Sequence, residues 1–238
     1  MSYKYNKSTV YKIIQETENV KRFSFKVPDN IPFSFKAGQF IMLNLPIASK
    51  FTNRSYSIAS APSTDNTFEL AIVLNPQGLG TPYLWENIEI GTEIDVSKPL
   101  GKFHLLEPIE EDICFICTGT GIAPLRSMLF YILNNKISHK NIYMIFGNRW
   151  EKDIIYRKEM EDLDKKIPSF HYIPVLSRDS DGWNGKKGYV HQVYEEVFAD
   201  KRPATFYMCG WRDMLHEARH RLEAMGYDKK KIKFESYD

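Results

Sequence analysis

One segment of the sequence has the composition of an anion-binding loop: Thr118-Gly119-Thr120-Gly121-Ile122-Ala123-Pro124. Glycines let a backbone turn tightly and approach a ligand closely, and the start of a helix presents unpaired N–H groups to a phosphate. Pro124 suits the first turn of such a helix, where its missing N–H costs nothing. This loop alone does not exclude a strand-to-helix turn that binds no ligand, because its G-x-G-x-x-P spacing departs from the G-x-G-x-x-G dinucleotide fingerprint.

A second pattern has the spacing of a zinc site. The run His216-Glu217-Ala218-Arg219-His220 reads H-E-x-x-H, which puts both histidines on one face of a helix, as in zinc metalloproteases. Arg219 and Arg221 place positive charge beside such a site, and Glu223 is too close along the chain to be the usual distant third ligand. We interpret the pattern as the polar face of a helix and predict no metal.

A third pattern, Cys114-x-x-Cys117, has the spacing of redox and metal sites. Both cysteines fall within a strand-like run, where residues three apart face opposite sides of the strand. No second pair is present to complete a zinc or iron–sulfur site. We therefore interpret both as structural cysteines, and the chain's three cysteines exclude a disulfide framework.

The elements that must position these residues differ between the two halves of the chain. In the first half, short runs rich in β-branched and aromatic residues are separated by Gly, Pro, Asn and Asp, which favours an antiparallel β-barrel or sandwich. The predicted strands are Thr9–Gln15, Val20–Val27, Gln39–Leu45, Arg54–Ser60, Phe68–Leu74 and Thr92–Lys98, with a short helix at Thr81–Ile88. The polar stretch Glu16-Thr17-Glu18-Asn19 predicts a hairpin between the first two strands.

From about residue 112, strand-like and helical patterns alternate, which predicts right-handed βαβ units and a parallel sheet. The predicted strands are Ile113–Cys117, Asn141–Phe146, Phe170–Leu176, Ala204–Met208 and Ile232–Phe234, and the predicted helices are Ala123–Leu133, Ile154–Leu163, Val190–Phe198 and Met214–Met225. We place the domain boundary at Glu107-Pro108, which gives a β-barrel domain at 1–107 and an α/β domain at 108–238. An α/β domain binds ligands beyond the C-terminal ends of its strands.

The composition indicates a globular protein that acts away from nucleic acids and membranes. The 32 basic residues nearly balance the 30 acidic ones, so there is no basic excess for binding nucleic acid. Hydrophobic residues make up 43% of the chain, yet no apolar run approaches the roughly 20 residues that cross a bilayer. With few cysteines and no apolar signal core near the N-terminus, we expect a cytoplasmic protein.

The order of short motifs along nearly the whole chain resembles the ferredoxin–NADP reductase superfamily of flavin-dependent reductases. The motifs are Gly38-Gln39-Phe40, Arg54-Ser55-Tyr56-Ser57, Gly78-Leu79-Gly80-Thr81, Pro99-Leu100-Gly101-Lys102-Phe103, the loop 118–124, Gly147-Asn148-Arg149, Ser177-Arg178, Cys209-Gly210 and Glu235-Ser236-Tyr237. Each motif is modest, but the ordered set is specific. The resemblance implies a flavin-binding barrel followed by a nicotinamide-nucleotide domain, in agreement with the two halves described above.

In the barrel, the resemblance implies that Arg54 pairs with a flavin phosphate, for which a guanidinium group is well shaped. Tyr56 would lie along the isoalloxazine ring and Ser57 would hydrogen-bond near flavin N5. The start of the helix after Gly78 would hold the phosphates, and the family favours FAD over FMN. The implied cofactor-binding residues are Arg54, Ser55, Tyr56, Ser57, Gly78, Gly80 and Thr81.

In the second domain, the resemblance implies that Cys209 lies beside the nicotinamide ring, and that Tyr237 stacks over the flavin and yields to the nicotinamide. A catalytic role of Glu235 stays open. Relatives commonly continue the Cys-Gly pair with prolines, whereas Trp211-Arg212 follows here. The implied cofactor-binding residues are Gly119, Thr120, Gly121, Pro124, Arg149, Ser177, Arg178, Lys187, Tyr189, Cys209, Gly210 and Tyr237, and the implied catalytic residues are Ser57, Cys209, Glu235 and Tyr237.

The sequence leaves the choice between NAD and NADP open. Lys187 and Tyr189 are reminiscent of NADP-using members, whereas the segment Trp183-Asn184-Gly185 equally resembles NAD-using reductases. No acid stands about 20 residues after the glycine loop to hold a ribose hydroxyl; Asn148 and Arg149 follow the second strand instead.

The expected function is that of an FAD-dependent NAD(P)H oxidoreductase. Hydride would pass between NAD(P)H and bound FAD, and electrons would pass on to a ferredoxin-like or other acceptor protein. Two alternatives are a reductase component of a multi-component oxygenase and a non-catalytic flavin-binding sensor or subunit. The presence of both the flavin and the nucleotide motifs argues against the sensor.

Overall fold

The computed structural model describes residues 4–47, 50–178 and 182–237, and for residues 50 and 51 it describes the backbone alone. By its contacts the chain divides into two units, one formed by residues 1–105 with 126–131 and the other by residues 106–125 with 132–238. The predicted domain limits, 1–107 and 108–238, stay a prediction. No helix among the described residues is long and apolar enough to span a membrane.

The first unit is an antiparallel six-stranded sheet. Its elements are β1 (Tyr5–Thr17), β2 (Val20–Lys26), β3 (Phe40–Ile47), β4 (Lys50–Ser57), β5 (Thr67–Val73), α1 (Gly80–Asn87) and β6 (Glu93–Ser97). The strand order is β4-β3-β6-β1-β2-β5. The two outer strands meet just beyond β4, where Ile58 bridges Leu70 and the Ala59 N–H donates to the Glu69 carbonyl oxygen at 2.8 Å. This link closes the sheet into the predicted barrel.

The barrel core follows from the alternation of residues along its strands. In β3, Ile41, Leu43 and Leu45 point into the core with no exposed surface, because side chains two apart lie on the same face of a strand. The hairpin between β1 and β2 turns within Glu18-Asn19, a shorter turn than the predicted stretch, since Thr17 already pairs with Val20.

The second unit is a parallel sheet flanked by helices. Its elements are β7 (Asp112–Thr118), α2 (Ile122–Asn134, except residues 126–131, which group with the first unit), β8 (Ile142–Asn148), α3 (Arg157–Lys166), β9 (Phe170–Leu176), β10 (Lys186–Lys187), α4 (Val190–Val197), β11 (Ala204–Trp211), α5 (Arg212–Ala224) and β12 (Ile232–Tyr237). The strand order is β10-β9-β8-β7-β11-β12, and neighbouring strands are parallel. The predicted fold class, a barrel followed by a parallel α/β domain, is confirmed.

Helix α3 begins three residues later than the predicted Ile154. Residues Glu151–Asp153 form a 3-10 turn, and Tyr156 then adopts a left-handed backbone with φ of 55°. Tyr156 is buried, so its packing supports a conformation that a tyrosine seldom adopts on its own. Helical periodicity in the sequence cannot detect such a turn.

A charged cluster at the amino-terminal ends of β7, β8 and β11 holds these strands together. The Arg202 Nε donates to Asp112 Oδ2 at 2.9 Å, and its Nη2 donates to the Tyr143 hydroxyl at 3.0 Å. The other oxygen of Asp112 accepts from the backbone N–H of Asn141 at 3.1 Å. Exposed Asp200 also pairs with Arg202, at 2.8 Å.

We expect Asp112→Ala to lower the free energy of unfolding by about 3 kcal/mol, because it leaves Arg202 and Asn141 without their buried partner. Asp200→Ala removes the exposed partner of the same arginine and should cost less than about 0.5 kcal/mol. The carboxylate of Asp112 is 6% exposed and that of Asp200 is 59% exposed. Urea unfolding of both variants measures the difference; equal losses would contradict the assigned role of Asp112.

Candidate active site

The R-x-Y-S motif lies on β4, which pairs with β3 along its full length. Arg54 and Tyr56 are half-buried, Ser55 is exposed and Ser57 is buried. The ring of Tyr56 packs against the barrel core. The motif therefore presents a guanidinium group and a phenol ring from the same strand, two residues apart and hence on one face.

The side chain of Arg54 crosses the start of α1 at Gly80. A Cβ added to Gly80 would lie 2.9 Å from Arg54 Cγ and 3.1 Å from Arg54 Nε, so only glycine leaves room for this path. The guanidinium is held by a hydrogen bond from Nη1 to the Asn53 carbonyl oxygen at 2.8 Å. The first turn of α1 has no side-chain cap and no acidic residue. A guanidinium group beside the uncapped start of a helix fits a phosphate.

The loop before α1 is held by its own hydrogen bonds. The Thr81 hydroxyl accepts from the Asn75 N–H at 2.8 Å and donates to the Asn75 carbonyl oxygen at 3.2 Å. The Gly78 N–H donates to the same carbonyl oxygen at 3.0 Å. Thr81 thus shapes the loop that approaches the helix start, and its direct contact with a flavin phosphate stays a prediction.

In the second unit, the ends of β7 and β11 are in close contact. A Cβ on Gly121 would lie 2.3 Å from the Cys209 carbonyl oxygen, and one on Gly210 would lie 2.2 Å from Thr118 Oγ1. Gly210 also has a positive φ of 144°. The strand β7 leads first into a 3-10 turn, Gly119–Gly121, whose carbonyl groups accept the N–H of Ile122. The Ile122 amide is therefore already bonded within the chain.

Residues of this turn differ in exposure. Gly121 and Pro124 are buried, whereas Gly119 and Thr120 are partly exposed. No atom lies within 4 Å of a Cβ added to Gly119. Space for a ligand is thus found at Gly119 and Thr120, while Gly121 and Pro124 contribute to packing.

Three arginines at the carboxyl edge of the second sheet lack a carboxylate partner in the described part of the chain. Arg149 follows β8, Arg178 follows β9 and Arg212 follows β11, and none has a carboxylate oxygen within 4.0 Å among residues 4–47, 50–178 and 182–237. Arginines elsewhere in this unit are paired, as Arg157 is with Glu151 and Arg202 with Asp112. Positive charge without an internal partner suits an anionic ligand at this edge.

The remaining predicted residues of this edge lie beside the arginines. Ser177 continues the pairing of β9 with β8, because its N–H donates to the Asn148 carbonyl oxygen at 3.0 Å. Ser177, Lys187 and Tyr189 are exposed, and the Tyr189 N–H donates to Gln192 Oε1 at 3.2 Å. The structure therefore brings the predicted nucleotide-binding residues of this domain to one edge of the sheet.

Cys209, Glu235 and Tyr237 lie on one face of neighbouring strands. Cys209 of β11 is opposite Glu235 of β12, and Trp211 is opposite Tyr237. The thiol of Cys209 is fully buried, and burial raises its pKa well above the usual range. The Glu235 carboxylate raises this pKa further, while a hydrogen bond with Tyr237 acts in the opposite direction. The Cys209 side chain is therefore a neutral thiol; Ser57, the fourth predicted catalytic residue, belongs to the first unit.

The two metal-like patterns have ordinary structural surroundings. His216 and His220 are exposed on α5, and Glu217 binds Arg221 at 2.6 Å and His191 at 3.3 Å. The described residues contain no group of three His, Cys, Asp or Glu side chains arranged to hold a metal ion.

Cys114 and Cys117 are free, buried thiols. Cys114 packs in the core beneath α4 and α5, while Cys117 Sγ contacts Met144 Sδ at 3.9 Å. Burial raises the pKa of both thiols well above the usual range.

Sequence reasoning missed three features of the carboxyl edge. The Nδ2 of Asn148 is buried and has no hydrogen-bond partner among the described residues. Trp150 lies beside Arg178, and Trp211 is 68% exposed despite its size. A tryptophan at or just after the end of a strand is the sequence signal that could have found the last two.

We expect the phenol of Tyr56 to make stability depend on alkaline pH. Burial raises the pKa of Tyr56 to about 12, although the charge of Arg54 opposes the rise. Because the folded pKa exceeds the unfolded value of about 10, this contribution is complete below pH ~10 and is lost as pH rises through about 12. Tyr56→Phe should remove up to about 2 kcal/mol of the unfolding free energy that the parent loses as the pH rises.

Urea unfolding of the apoprotein across this pH range measures the effect as the difference between the parent and Tyr56→Phe. Tyr11→Phe, whose ring is 48% exposed, serves as the control and should follow the parent. A Tyr56→Phe curve parallel to the parent at all pH values would show that the phenol is not held in this environment.

Comparison with family models agrees with the two units. Residues 7–105 match the model of the oxidoreductase FAD-binding domain, and residues 115–220 match the model of the oxidoreductase NAD-binding domain. These are the segments that contain the Arg54 motif and the carboxyl edge, respectively.

Two relatives illustrate the sequence similarity. Ferredoxin–NADP reductase B of Sorangium cellulosum is 35% identical over 227 residues, which cover 92% of this chain and 92% of that protein. The glycine betaine monooxygenase reductase subunit of Pseudomonas aeruginosa is 32% identical over 231 residues, which cover 95% of this chain. This chain spans only 62% of the length of the Pseudomonas protein.

Solved structures share the fold. The CS-b5R domains of human Ncb5or, solved in an NAD⁺ form, superpose with a TM-score of 0.88 at 25% identity over 100% of this chain and 70% of that one. A ferredoxin NADP⁺ reductase of Neisseria gonorrhoeae with bound FAD and NADP gives a TM-score of 0.84 at 23% identity over 99% of both chains. With an FAD-binding domain, an NAD-binding domain and a relative of matching length, the chain belongs to the ferredoxin–NADP reductase superfamily.

Proposed function

We propose that the chain is an FAD-dependent NAD(P)H oxidoreductase that passes electrons from NAD(P)H through FAD to a ferredoxin-like or other acceptor protein. The observation that carries the proposal is the presence of two anion-binding edges in one chain. One is Arg54 against the uncapped start of α1, and the other is the set of arginines at the carboxyl edge of the second sheet that have no carboxylate partner among the described residues. The similarity to a ferredoxin–NADP reductase over 92% of both chains supports it.

The first unit has the residues to hold FAD. Arg54 and the first N–H groups of α1 would bind its phosphates, and Gly80 keeps the path of Arg54 open. Tyr56, as a neutral phenol, would lie along the isoalloxazine ring, and Ser57 would donate a hydrogen bond near its N5 atom. Bound FAD would supply hydride acceptance at N5 and the release of electrons singly or in pairs.

The second unit has the residues to hold and align NAD(P)H. Gly119 and Thr120 would approach the pyrophosphate, because the backbone is accessible there. Cys209 would present an uncharged thiol to the nicotinamide ring, and Tyr237 would occupy the ring's place until the nucleotide arrives. The protein's main contribution to hydride transfer would be to align the nicotinamide carbon that donates the hydride with flavin N5.

The second candidate function is that of a reductase component of a multi-component oxygenase. The relatives that favour it are the reductase subunit of glycine betaine monooxygenase and the electron transfer component of anthranilate 1,2-dioxygenase from Acinetobacter baylyi, which is 29% identical over 189 residues. This chain covers 54% of the Acinetobacter protein. A separate carrier would then have to take the electrons from this chain. A non-catalytic flavin sensor is the less favoured alternative, since both binding edges are present.

We expect the purified protein, loaded with FAD, to lose its flavin absorbance on anaerobic titration with one equivalent of NADPH or NADH. The physical reason is that one chain binds both the hydride donor, NAD(P)H, and the hydride acceptor, FAD. Absorbance at the flavin band, followed with each nucleotide in turn, measures this. A flavin band that neither nucleotide bleaches would favour the sensor, and failure to bind FAD at all would overturn the proposal.

The start of α1 gives a test of FAD binding. Gly80→Ala should weaken FAD binding at least tenfold, because the new methyl group would lie 2.9 Å from Arg54 Cγ and displace the side chain. Alanine favours a helix by about 1 kcal/mol over glycine, so the helix itself is retained. The Kd of FAD, from flavin fluorescence on titration of the apoprotein, measures the effect.

The matched control is Glu86→Ala, which changes an exposed residue of the same helix and should leave the Kd unchanged. Unaltered FAD affinity in Gly80→Ala would mean that Arg54 does not bind the cofactor phosphates by this path.

A further inference from the structure

A short segment leads out of the flavin motif, directly after Ser57 at the end of β4. Two of its carbonyl oxygens accept hydrogen bonds from side chains of α2. Arg126 Nη1 donates to the Ala59 carbonyl oxygen at 2.8 Å, and the Ser127 hydroxyl donates to the Ser60 carbonyl oxygen at 2.6 Å. Both donors lie in the part of α2 that groups with the first unit.

The barrel holds the same segment by its N–H groups. The Ile58 N–H donates to the Gln39 carbonyl oxygen at 3.0 Å, and the Ala59 N–H donates to the Glu69 carbonyl oxygen at 2.8 Å. The Ser60 hydroxyl accepts the Glu69 N–H at 3.0 Å. The segment is therefore held by two groups of contacts, one from the barrel strands and loops and one from α2.

The two donors of α2 are themselves held in place. Ser127 is fully buried, and the side chain of Arg126 is only 12% exposed. Arg126 Nη1 also lies 3.7 Å from Glu69 Oε1, and Arg126 Cζ lies 4.7 Å from the centroid of the Phe130 ring. A buried donor that loses its acceptor is costly, so these side chains are expected to stay on their carbonyl oxygens.

The position of Ser57 depends on the segment that follows it. Strand β4 pairs with β3 only as far as Ser57, which is opposite Phe40. Ser57 is 5% exposed, and beyond it the course of the chain is set by the contacts of the segment. A shift of the segment would therefore move the Ser57 hydroxyl, and a displacement of about 1 Å can cost a reaction about a hundredfold in rate.

We propose that Arg126 and Ser127 are positioning residues for hydride transfer. By holding the carbonyl oxygens of Ala59 and Ser60, they fix the end of β4 and with it the Ser57 hydroxyl that would donate near flavin N5. The proposal rests on the proposed function and adds to it two residues from outside the flavin motif. Both act through Ser57, and neither needs to contact the flavin or the nucleotide.

The first test is a double-mutant cycle with Ser57 on the FAD-loaded protein. Anaerobic stopped-flow absorbance measures the rate constant of flavin reduction at saturating NADPH or NADH. Ser127→Ala should lower this rate constant about tenfold and leave the Kd of FAD and of the nucleotide unchanged, because only alignment is lost. In a Ser57→Ala background the same substitution should have no further effect, since both substitutions act on one hydroxyl.

The second test does not depend on turnover. The ¹⁵N chemical shift of FAD enriched at N5 reports hydrogen bonding at that atom, with no nucleotide added. Ser57→Ala and Ser127→Ala should move this shift in the same direction, and together no further than Ser57→Ala alone. Arg126→Ala should act likewise, and Arg126→Lys, which keeps a donor for the Ala59 carbonyl oxygen, should recover part of the shift.

The matched control removes another buried serine hydroxyl of the barrel. Ser97, 2% exposed on β6, donates to the Lys98 carbonyl oxygen at 2.7 Å and accepts the Met42 N–H at 2.9 Å. Ser97→Ala therefore loses hydrogen bonds of the same kind, but on a strand that does not carry the flavin motif. It should leave both the N5 shift and the reduction rate of the parent unchanged.

Three outcomes would overturn the proposal. An unchanged rate and N5 shift in Ser127→Ala would show that α2 does not fix Ser57. Equal losses with and without the Ser57 hydroxyl would make the effect a general loss of structure, and weaker FAD binding at an unchanged saturating rate would make Ser127 a binding residue. Failure of the proposed function is distinguishable: a flavin that neither nucleotide reduces would contradict that function, while the N5 shift would still decide the positioning role.

Discussion

The second unit depends on the close approach of two backbones, those of β7 and β11, at their carboxyl ends. Gly121 lies against the Cys209 carbonyl group and Gly210 lies against Thr118, at distances that no side chain would permit. This contact joins the glycine turn to the strand of the buried thiol, so the two features proposed to bind the nucleotide lie on adjoining backbone. It also lies where the strand order reverses, between β7 with its neighbours β8 and β9 on one side and β11 with β12 on the other. Crevices at such points are where open α/β sheets bind ligands.

The distribution of charge then gives this edge its chemical character. The chain as a whole is nearly neutral, and many of its arginines form internal ion pairs, such as that of Arg202 with Asp112. Arg149, Arg178 and Arg212 are exceptions among the described residues, and all three follow strand ends at the same edge. Cations that lie together without internal partners attract anions, which is the basis of the nucleotide-binding role proposed for this edge.

In the first unit, the corresponding constraint is that Gly80 has no side chain, which leaves room for Arg54. Gly80 is the point at which Arg54 passes over the start of α1, and the loop that precedes it is tied to Thr81 through the backbone of Asn75. The barrel contributes a rigid strand that presents Arg54 and Tyr56 together. Burial keeps Tyr56 a neutral phenol, which suits an aromatic ring next to a flat cofactor more than a phenolate would.

The sequence by itself determined the fold class, the family and the order of the elements apart from the two-residue β10. Strand β9 coincides with the predicted Phe170–Leu176 because an apolar run between turn residues allows one interpretation, and the motif order identified the superfamily that the comparisons confirm. Only the tertiary structure decided the delayed start of α3, since the left-handed Tyr156 depends on its burial. It also decided which of the described arginines lack carboxylate partners, because pairing between residues distant in the chain leaves no periodic trace in a single sequence.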